Sequence, residues 1–538
     1  MRIRILAVLV LLSFSAFSQK KKEPLPDKPK LVVGIIVDQM RYDYLYRFYS
    51  RYSDKGLKRL MTEGFNCRNN HYHYASTITG PGHAHVYTGS VPAITGIVGN
   101  DWYERSLKKS MYVVSDSTVS IVGEGNPNAG KMSPKNLKAT TITDQLRIAS
   151  QFKSKVVGVA FKDRGAILPA GHTGSAYWFD TKNANWITST YYTKELPKWV
   201  KDFNDRKLPE SYTKLPWETL YPIDTYTASE GDDQPYESLI AGDVKPVFPH
   251  KVTIGSLAST PFGNNLTKEF AIAAIEAEQL GRGEATDFLA VSFSSTDYVG
   301  HAFGPQSKEI EDVYLRFDKD IEDLLTHLDK TVGAGKYTVF LSADHAVAEV
   351  PAFLKKHNVP SGLFVGGELE KFANAAISSV LGEGKWVTTE DNYQLYMNDA
   401  LLTEKKVTIP QIVDILRTKS IDHEGIYNIV DLRNANMHSV PQYFREKIIN
   451  VYNPKRSGDI MILPEPAWMA GYIKGTTHGT MYNYDTHAPL LWFGWGINKG
   501  ETTQPTYISD IAPTLAMLLK ILEPNGSVGK PIQEVLKK

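Results

Sequence analysis

The chain has 538 residues, 42% of them hydrophobic and 22% charged, a formal net charge of +1 and one cysteine. This is ordinary globular composition, long enough for a large core carrying an inserted second unit. It excludes a polybasic binder of nucleic acid or anionic membrane: without Arg2 and Arg4, 58 basic residues face 59 acidic ones. Cys67 alone can form no internal disulfide and reads as a small buried hydrophobe.

Met1-Arg2-Ile3-Arg4, the apolar run Ile5 to Leu12, and the small residues Ala16 and Ser18 read as a signal peptide over 1–18, cleaved after Ser18. The run is too short to span a bilayer comfortably. No cysteine follows the cleavage point to carry a lipid anchor, so no stable membrane anchor is expected. A Lys- and Pro-rich linker covers 19–30. The mature protein is expected in the periplasm or secreted.

Leu31 to Val37 is a continuous, β-branched apolar run, the pattern of a buried parallel strand, and it ends at Asp38. Tyr42 to Leu60 reads as a helix. The stretch His73-Tyr74-Ala75-Ser76-Thr77-Ile78-Thr79-Gly80-Pro81-Gly82-His83-Ala84-His85 follows. It sets a hydroxyl residue, Thr79, before Gly-Pro-Gly, where a loop turns into a helix. Thr79 there suits a nucleophile or a bound anion; as a bare motif it reads first as a helix cap, since hydroxyl caps are far commoner than nucleophiles. Asn100 sits in a loop over 96–103. A second strand, Val156 to Phe161, runs into Lys162-Asp163-Arg164, whose two cations alternate at the strand end. Residues 31–165 are expected to form the first part of the core.

From 166 to 265 the pattern loosens, with frequent Trp, Tyr and Pro, and reads as an inserted cap. Thr267 is expected to cap a helix reaching Leu280. Core residues resume over 266–349. The strand Phe288 to Phe293 leads into Asp297 and His301, and an amphipathic helix carries Ile310, Val313, Phe317, Ile321, Leu324 and Leu328. The strand Tyr337 to Ser342 ends in Ala343-Asp344-His345. A second insertion spans 350–475. The last core part, 476–538, holds Asp485-Thr486-His487-Ala488-Pro489 before the strand Leu490 to Gly494.

Asp and His thus gather at several strand ends, where ligands collect in open α/β sheets. Neutral imidazole and carboxylate suit zinc, and six such ligands suffice for two ions with three protein ligands each.

Asp38, Thr79 before Gly-Pro-Gly-His, Asp297-x-x-x-His301, Ala-Asp344-His345, Asp-x-His487-x-Pro and Ser509-Asp510-Ile511-Ala512-Pro513-Thr514 together resemble the alkaline phosphatase superfamily. Thr79, Asn100 and Lys162-Asp163-Arg164 resemble its phosphate-irrepressible, PafA-type branch. The resemblance implies an α/β fold with a mostly parallel central sheet flanked by helices. It implies two Zn2+ per chain, one on Asp297, His301 and His487, the other on Asp38, Asp344 and His345 with Thr79. Asn100, Lys162 and Arg164 would contact the phosphoryl oxygens, and small phosphate monoesters would be cleaved through a phosphothreonine. His478, in Thr477-His478-Gly479, competes with His487; His487 is favoured because it directly precedes a strand. His83 and His85 read as helix residues without a ligand role.

Against this stand a phosphodiesterase or nucleotide pyrophosphatase of the same superfamily, which resembles the site but lacks the Lys–Arg pair, and a non-catalytic binder of phosphate or glycan. A sulfatase lacks support, since no Cys- or Ser-x-Pro-x-Arg motif surrounds Thr79. The leader disfavours a cytosolic mutase.

Overall fold

The computed structural model describes residues 26–537 other than 241 and 472. The expected leader, its cleavage point, and the linker as far as residue 25 lie outside these residues.

The fold is α/β around a ten-stranded sheet. Its body consists of β1 (Leu31–Val37), β2 (Val156–Ala160), β3 (Ser175–Asp180), β4 (Asn185–Ser189), β5 (Asp287–Phe293), β6 (Tyr337–Ser342) and β7 (Leu490–Gly494). Their order in space is β7-β6-β1-β5-β2-β3-β4; Phe65–Cys67 and Gly500–Thr502 continue beyond β7, and Ile121–Val122 beyond β4. The strands β6, β1, β5, β2 and β3 are parallel, whereas β7 and β4 run antiparallel to their neighbours. Each of β1, β2, β5 and β6 is buried over its whole length. That is why they are legible as unbroken apolar runs.

The register levels the ends of these strands. Val37 pairs with Phe293, Ile36 with Ser342, and Ser292 with Ala160. Residues just past each strand therefore arrive on one rim. Helices α1 (Thr79–Thr88), α2 (Asp163–Ala170) and α3 (Ser295–Phe303) start at that rim, and α4 (Lys308–Leu328) packs below. The apolar stripe of α4 named above is buried throughout.

Four local expectations change. The helix expected from Tyr42 to Leu60 is broken into Tyr44–Arg47, Tyr49–Arg51 and Leu57–Glu63. The break is held by Asp318 of α4, whose carboxylate accepts from Ser53 N and Leu57 N. Thr267 caps nothing: its helix starts at Pro261, directly after Thr260, and ends at Ala277. The expected cap at 166–265 begins too early, because β3 and β4 extend the central sheet. Both are largely buried, so their aromatic content reflects core packing. Finally, Thr79 is not a cap. It is the first residue of α1, Ile78 precedes it, and no side chain caps the helix.

Residues 350–475 contain a separate four-stranded sheet, Val387–Asp391, Gln394–Met397, Ile460–Pro464 and Ile426–Asp431 in that order. It has its own apolar core, including Ile377, Trp386, Leu395, Ile412 and Leu416. This unit grips the loops around the rim. Arg456 Nη1 donates to Gly96 O (2.5 Å) and Asn136 O (2.8 Å), and Asn450 Nδ2 donates to His73 O (2.7 Å).

Helix α1 approaches the rim closely because position 82 has no side chain. A Cβ there would stand 2.1 Å from Asp344 O and 2.8 Å from Asp344 Cβ. Gly82→Ala should therefore destabilise the fold by about 3 kcal/mol in denaturant unfolding, through overpacking, and should displace Asp344. Unchanged stability and activity would contradict this close approach.

Candidate active site

The rim assembles a buried cluster. Asp38 follows β1, Asp297 and His301 lie on α3, and Asp344 and His345 follow β6. His478 arrives on the loop before β7. Thr79 N-terminates α1, and Lys162 and Arg164 flank the start of α2. Thr79, Asn100, Lys162, Arg164, Asp297 and His478 line one cavity of about 460 Å³.

Three histidines share one arrangement. His301 Nδ1 donates to Thr476 O (2.8 Å), His345 Nδ1 to Ala346 O (3.0 Å) and His478 Nδ1 to Thr77 O (2.8 Å). With Nδ1 committed as donor, each ring, when neutral, turns an Nε2 lone pair inward. His301 Nε2 is 3.1 Å and His478 Nε2 3.6 Å from Asp297 Oδ1. His345 Nε2 is 3.5 Å from Asp38 Oδ1 and 3.4 Å from Asp344 Oδ2. Burial lowers the pKa of His345 and His478 and keeps them neutral, whereas at His301 burial is outweighed by Asp297, which raises it.

The carboxylates differ in how they are balanced. Burial pushes Asp38 up to about 6 against the pull of Lys162, and burial with repulsion from Asp38 pushes Asp344 well up. Asp297 is equally buried, yet His301 and Lys162 hold it well below the usual range. Lys162 Nζ bridges Asp297 Oδ2 (2.5 Å) and Asp38 Oδ2 (2.8 Å).

Donor chemistry and burial together fit a metal centre. Asp38, Asp344 and His345 bring ligand atoms within 4.8 Å of one another, as do Asp297, His345 and His478. Asp38 Oδ1, Asp344 Oδ2 and His345 Nε2 are buried without any hydrogen-bond partner. Converging lone pairs with no proton between them are costly unless a cation is shared.

Around Thr79 the polar groups are pre-set. Asn100 Oδ1 accepts from Gly80 N (2.8 Å), which leaves Nδ2 as its remaining donor. Arg164 Nη2 lies 3.5 Å from Thr79 Oγ, and Nη1 donates to Tyr112 OH (3.1 Å), which in turn donates to Asp163 Oδ1 (2.5 Å). His83 Nδ1 donates to Thr79 O (2.9 Å) and Nε2 faces Ser292 Oγ (2.8 Å).

His487 is the residue that the structure does not bring in. Its ring stacks between Tyr42 and His71, with both centroid distances 4.5 Å, and its Nε2 donates to Arg68 O (3.0 Å). His478 takes the inward place expected for it. The cause is Asp485, whose Oδ2 accepts from Gly479 N, Thr480 N and Thr480 Oγ (3.1, 2.8 and 2.6 Å). This folds the 478–485 loop back on itself. Thr77 Oγ donates to Thr480 O and completes the clamp.

Gln39 was not singled out by the sequence. Its backbone N donates to Asp344 Oδ1 (3.2 Å) and its Nε2 to Asp297 Oδ1 (2.8 Å), so it spans the two halves of the cluster. It adopts φ 65°, and a Cβ on Gly300 would lie 1.9 Å from its side-chain oxygen. Its position directly after a strand-end Asp is the one signal available beforehand. Tyr112 carried none.

The family model for type I phosphodiesterase / nucleotide pyrophosphatase matches residues 32–489. A protein of Myroides odoratus named a calcium-transporting ATPase is 48% identical over 99% of this chain and 98% of its own length. The alkaline phosphatase PafA of Elizabethkingia meningoseptica is 46% identical over 95% of each. The crystal structure of wild-type alkaline phosphatase PafA superposes with a TM-score of 0.93 at 46% identity, covering 96% of this chain and all of that one. The chain belongs to the type I phosphodiesterase / nucleotide pyrophosphatase family of the alkaline phosphatase superfamily, and within it matches the PafA type. That superfamily is metal-dependent, in keeping with the donor set.

The two rival histidines can be separated directly. His478→Ala is expected to lower bound metal by at least about tenfold in affinity, as loss of a ligand should, measured by elemental analysis during chelator titration. His487→Ala should retain the metal content of the unsubstituted protein. The reverse pattern would restore His487.

Proposed function

We propose that this protein is an exported alkaline phosphatase that hydrolyses small phosphomonoesters through a phosphothreonine on Thr79. One observation carries the reading: Lys162, Arg164 and Asn100 line the cavity together with Thr79. A monoester dianion presents more terminal charge than a diester monoanion, and two cations with an amide donor match it. Arg164 can bond two oxygens in a fork, while Lys162 acts as a point charge.

Asp297, His301 and His478 would hold one zinc ion, and Asp38, Asp344 and His345 with Thr79 Oγ the other. Bound there, the two ions would supply Lewis-acid activation of the attacking hydroxyl and charge stabilisation of the leaving oxygen. Thr79 Oγ attacks phosphorus in line, the phosphorus–ester oxygen bond breaks, and the alcohol departs. Water then cleaves the phosphothreonine, releasing phosphate and restoring the hydroxyl. His83 is not free to serve as base for Thr79, because both its ring nitrogens are engaged. Burial also lowers its pKa to about 3, so it stays neutral. The chain's own contribution is position and charge.

Export rests on the leader-like sequence before residue 19. No described helix is long and apolar enough to cross a membrane. The transport named for the Myroides relative is not carried over, since nothing in this site favours it.

An aryl phosphate and its matching diester distinguish the monoesterase from a diesterase of the same family. In Lys162→Ala/Arg164→Ala, kcat/KM for the monoester should fall by roughly 10³ or more, the scale of losing preorganised charge stabilisation. The diester should lose far less. Equal losses would overturn the monoesterase assignment. Thr79→Ala should show no burst of alcohol release, and a normal burst would remove Thr79 from its role. Chelation should abolish turnover, with zinc restoring it.

A further inference from the structure

The cavity at Thr79 is lined in part by a hairpin that the catalytic core does not supply. It joins Val387–Asp391 to Gln394–Met397 in the second insertion. Glu390, Asp391, Asn392 and Tyr393 line the same cavity as Thr79 and the two cations.

The turn is strained. Asn392 and Tyr393 have φ of 55° and 63°. Two left-handed residues make the hairpin turn that favours Asn-Gly, and an aromatic side chain is disfavoured at the second place. The surroundings hold it there. Tyr393 N donates to Glu390 Oε1 (2.7 Å), Tyr393 OH accepts from Ala470 N (2.9 Å), and Asn392 Nδ2 donates to Asp391 Oδ1 (2.8 Å). The tip also presses on the loop that carries Asn100: a Cβ on Gly99 would meet Asn392 Nδ2 at 2.8 Å. Strain maintained by three bonds in the lining of a site points to a positioning role.

The cavity lining carries charge of both signs: Lys162 and Arg164 on one hand, Asp297, Glu390 and Asp391 on the other. Burial, then repulsion from Asp101 and Glu390, pushes Asp391 up to about 7. Its negative charge is therefore poorly compensated by its surroundings.

We infer that Asp391, assisted by Glu390, selects esters by the charge of the leaving group. Monoesters of amino alcohols, which bring a cation to these carboxylates, are favoured over monoesters that bring a second anion, such as a carboxylate or a further phosphate. The inference rests on the phosphomonoesterase reading and names the substrate class for that same site.

The test uses the full metal-loaded enzyme at about pH 8.5, where Asp391 is ionised and an alkylammonium keeps its charge. It compares kcat/KM for aminoethyl, ethyl and carboxymethyl phosphate. Intrinsic ester reactivity is the same for every variant, so the change in the aminoethyl-to-carboxymethyl ratio is the readout. Asp391→Asn should lower that ratio about tenfold, the effect of removing one charge at short range from a partly desolvated cavity. Glu390→Gln, which keeps an acceptor for Tyr393 N, should lower it less. In the unsubstituted enzyme the ratio should also fall as salt rises from about 0.05 to 0.5 M, because these charges are screened. A ratio unmoved by Asp391→Asn overturns the inference. Should that variant not fold, a ratio unmoved by Glu390→Gln and by salt overturns it equally. Failure of the unsubstituted enzyme to cleave even ethyl phosphate would refute the phosphomonoesterase reading instead.

Discussion

Everything at the rim answers one electrostatic constraint. Three carboxylates and three imidazole rings converge in a buried space, and few protons lie between them. His301, His345 and His478 all give Nδ1–H to a backbone carbonyl, so none can offer a proton inward while neutral. Lys162 alone cannot neutralise Asp38, Asp297 and Asp344. A cluster of this kind is stable as a cation site and costly as anything else. The parallel strands make it possible, because their register brings residues from remote parts of the sequence onto one line.

The second insertion is more than a decoration of that core. It folds around its own apolar cluster and returns three kinds of contact to the site. Asn450 supports the segment leading to Thr79, Arg456 braces the loop leading to Asn100, and the Asn392 turn lines the cavity. The residues that line the cavity thus come from separately packed units. Such a division lets the insertion's lining residues vary without disturbing the carboxylate–histidine cluster.

Much of this was legible beforehand because fully buried parallel strands leave an unbroken apolar signature. β1, β2, β5 and β6 each end where an Asp, or the Lys162 stretch, follows. The misread elements are those whose form depends on distant partners. The helix break at Ser53–Gly56 is set by Asp318, more than 260 residues away in sequence. β3 and β4 resembled irregular cap because their aromatic residues pack in the core without a long aliphatic run. Gln39 is an ordinary polar residue until the fold sets it between Asp297 and Asp344.

The sequence by itself determined the inventory: strand-end carboxylates, a hydroxyl ahead of Gly-Pro-Gly, two alternating cations and a surplus of histidines. It favoured His487 over His478, because His487 directly precedes the strand Leu490 to Gly494. Tertiary structure turns His478, not His487, toward the cluster, through one carboxylate. Asp485 gathers the N–H groups of Gly479 and Thr480, and the loop closes with His478 facing Asp297. The same fold turns His487 outward onto Tyr42 and His71. A side chain's direction at the end of a loop depends on where the loop's backbone hydrogen bonds are satisfied, and that is a property of the assembled structure.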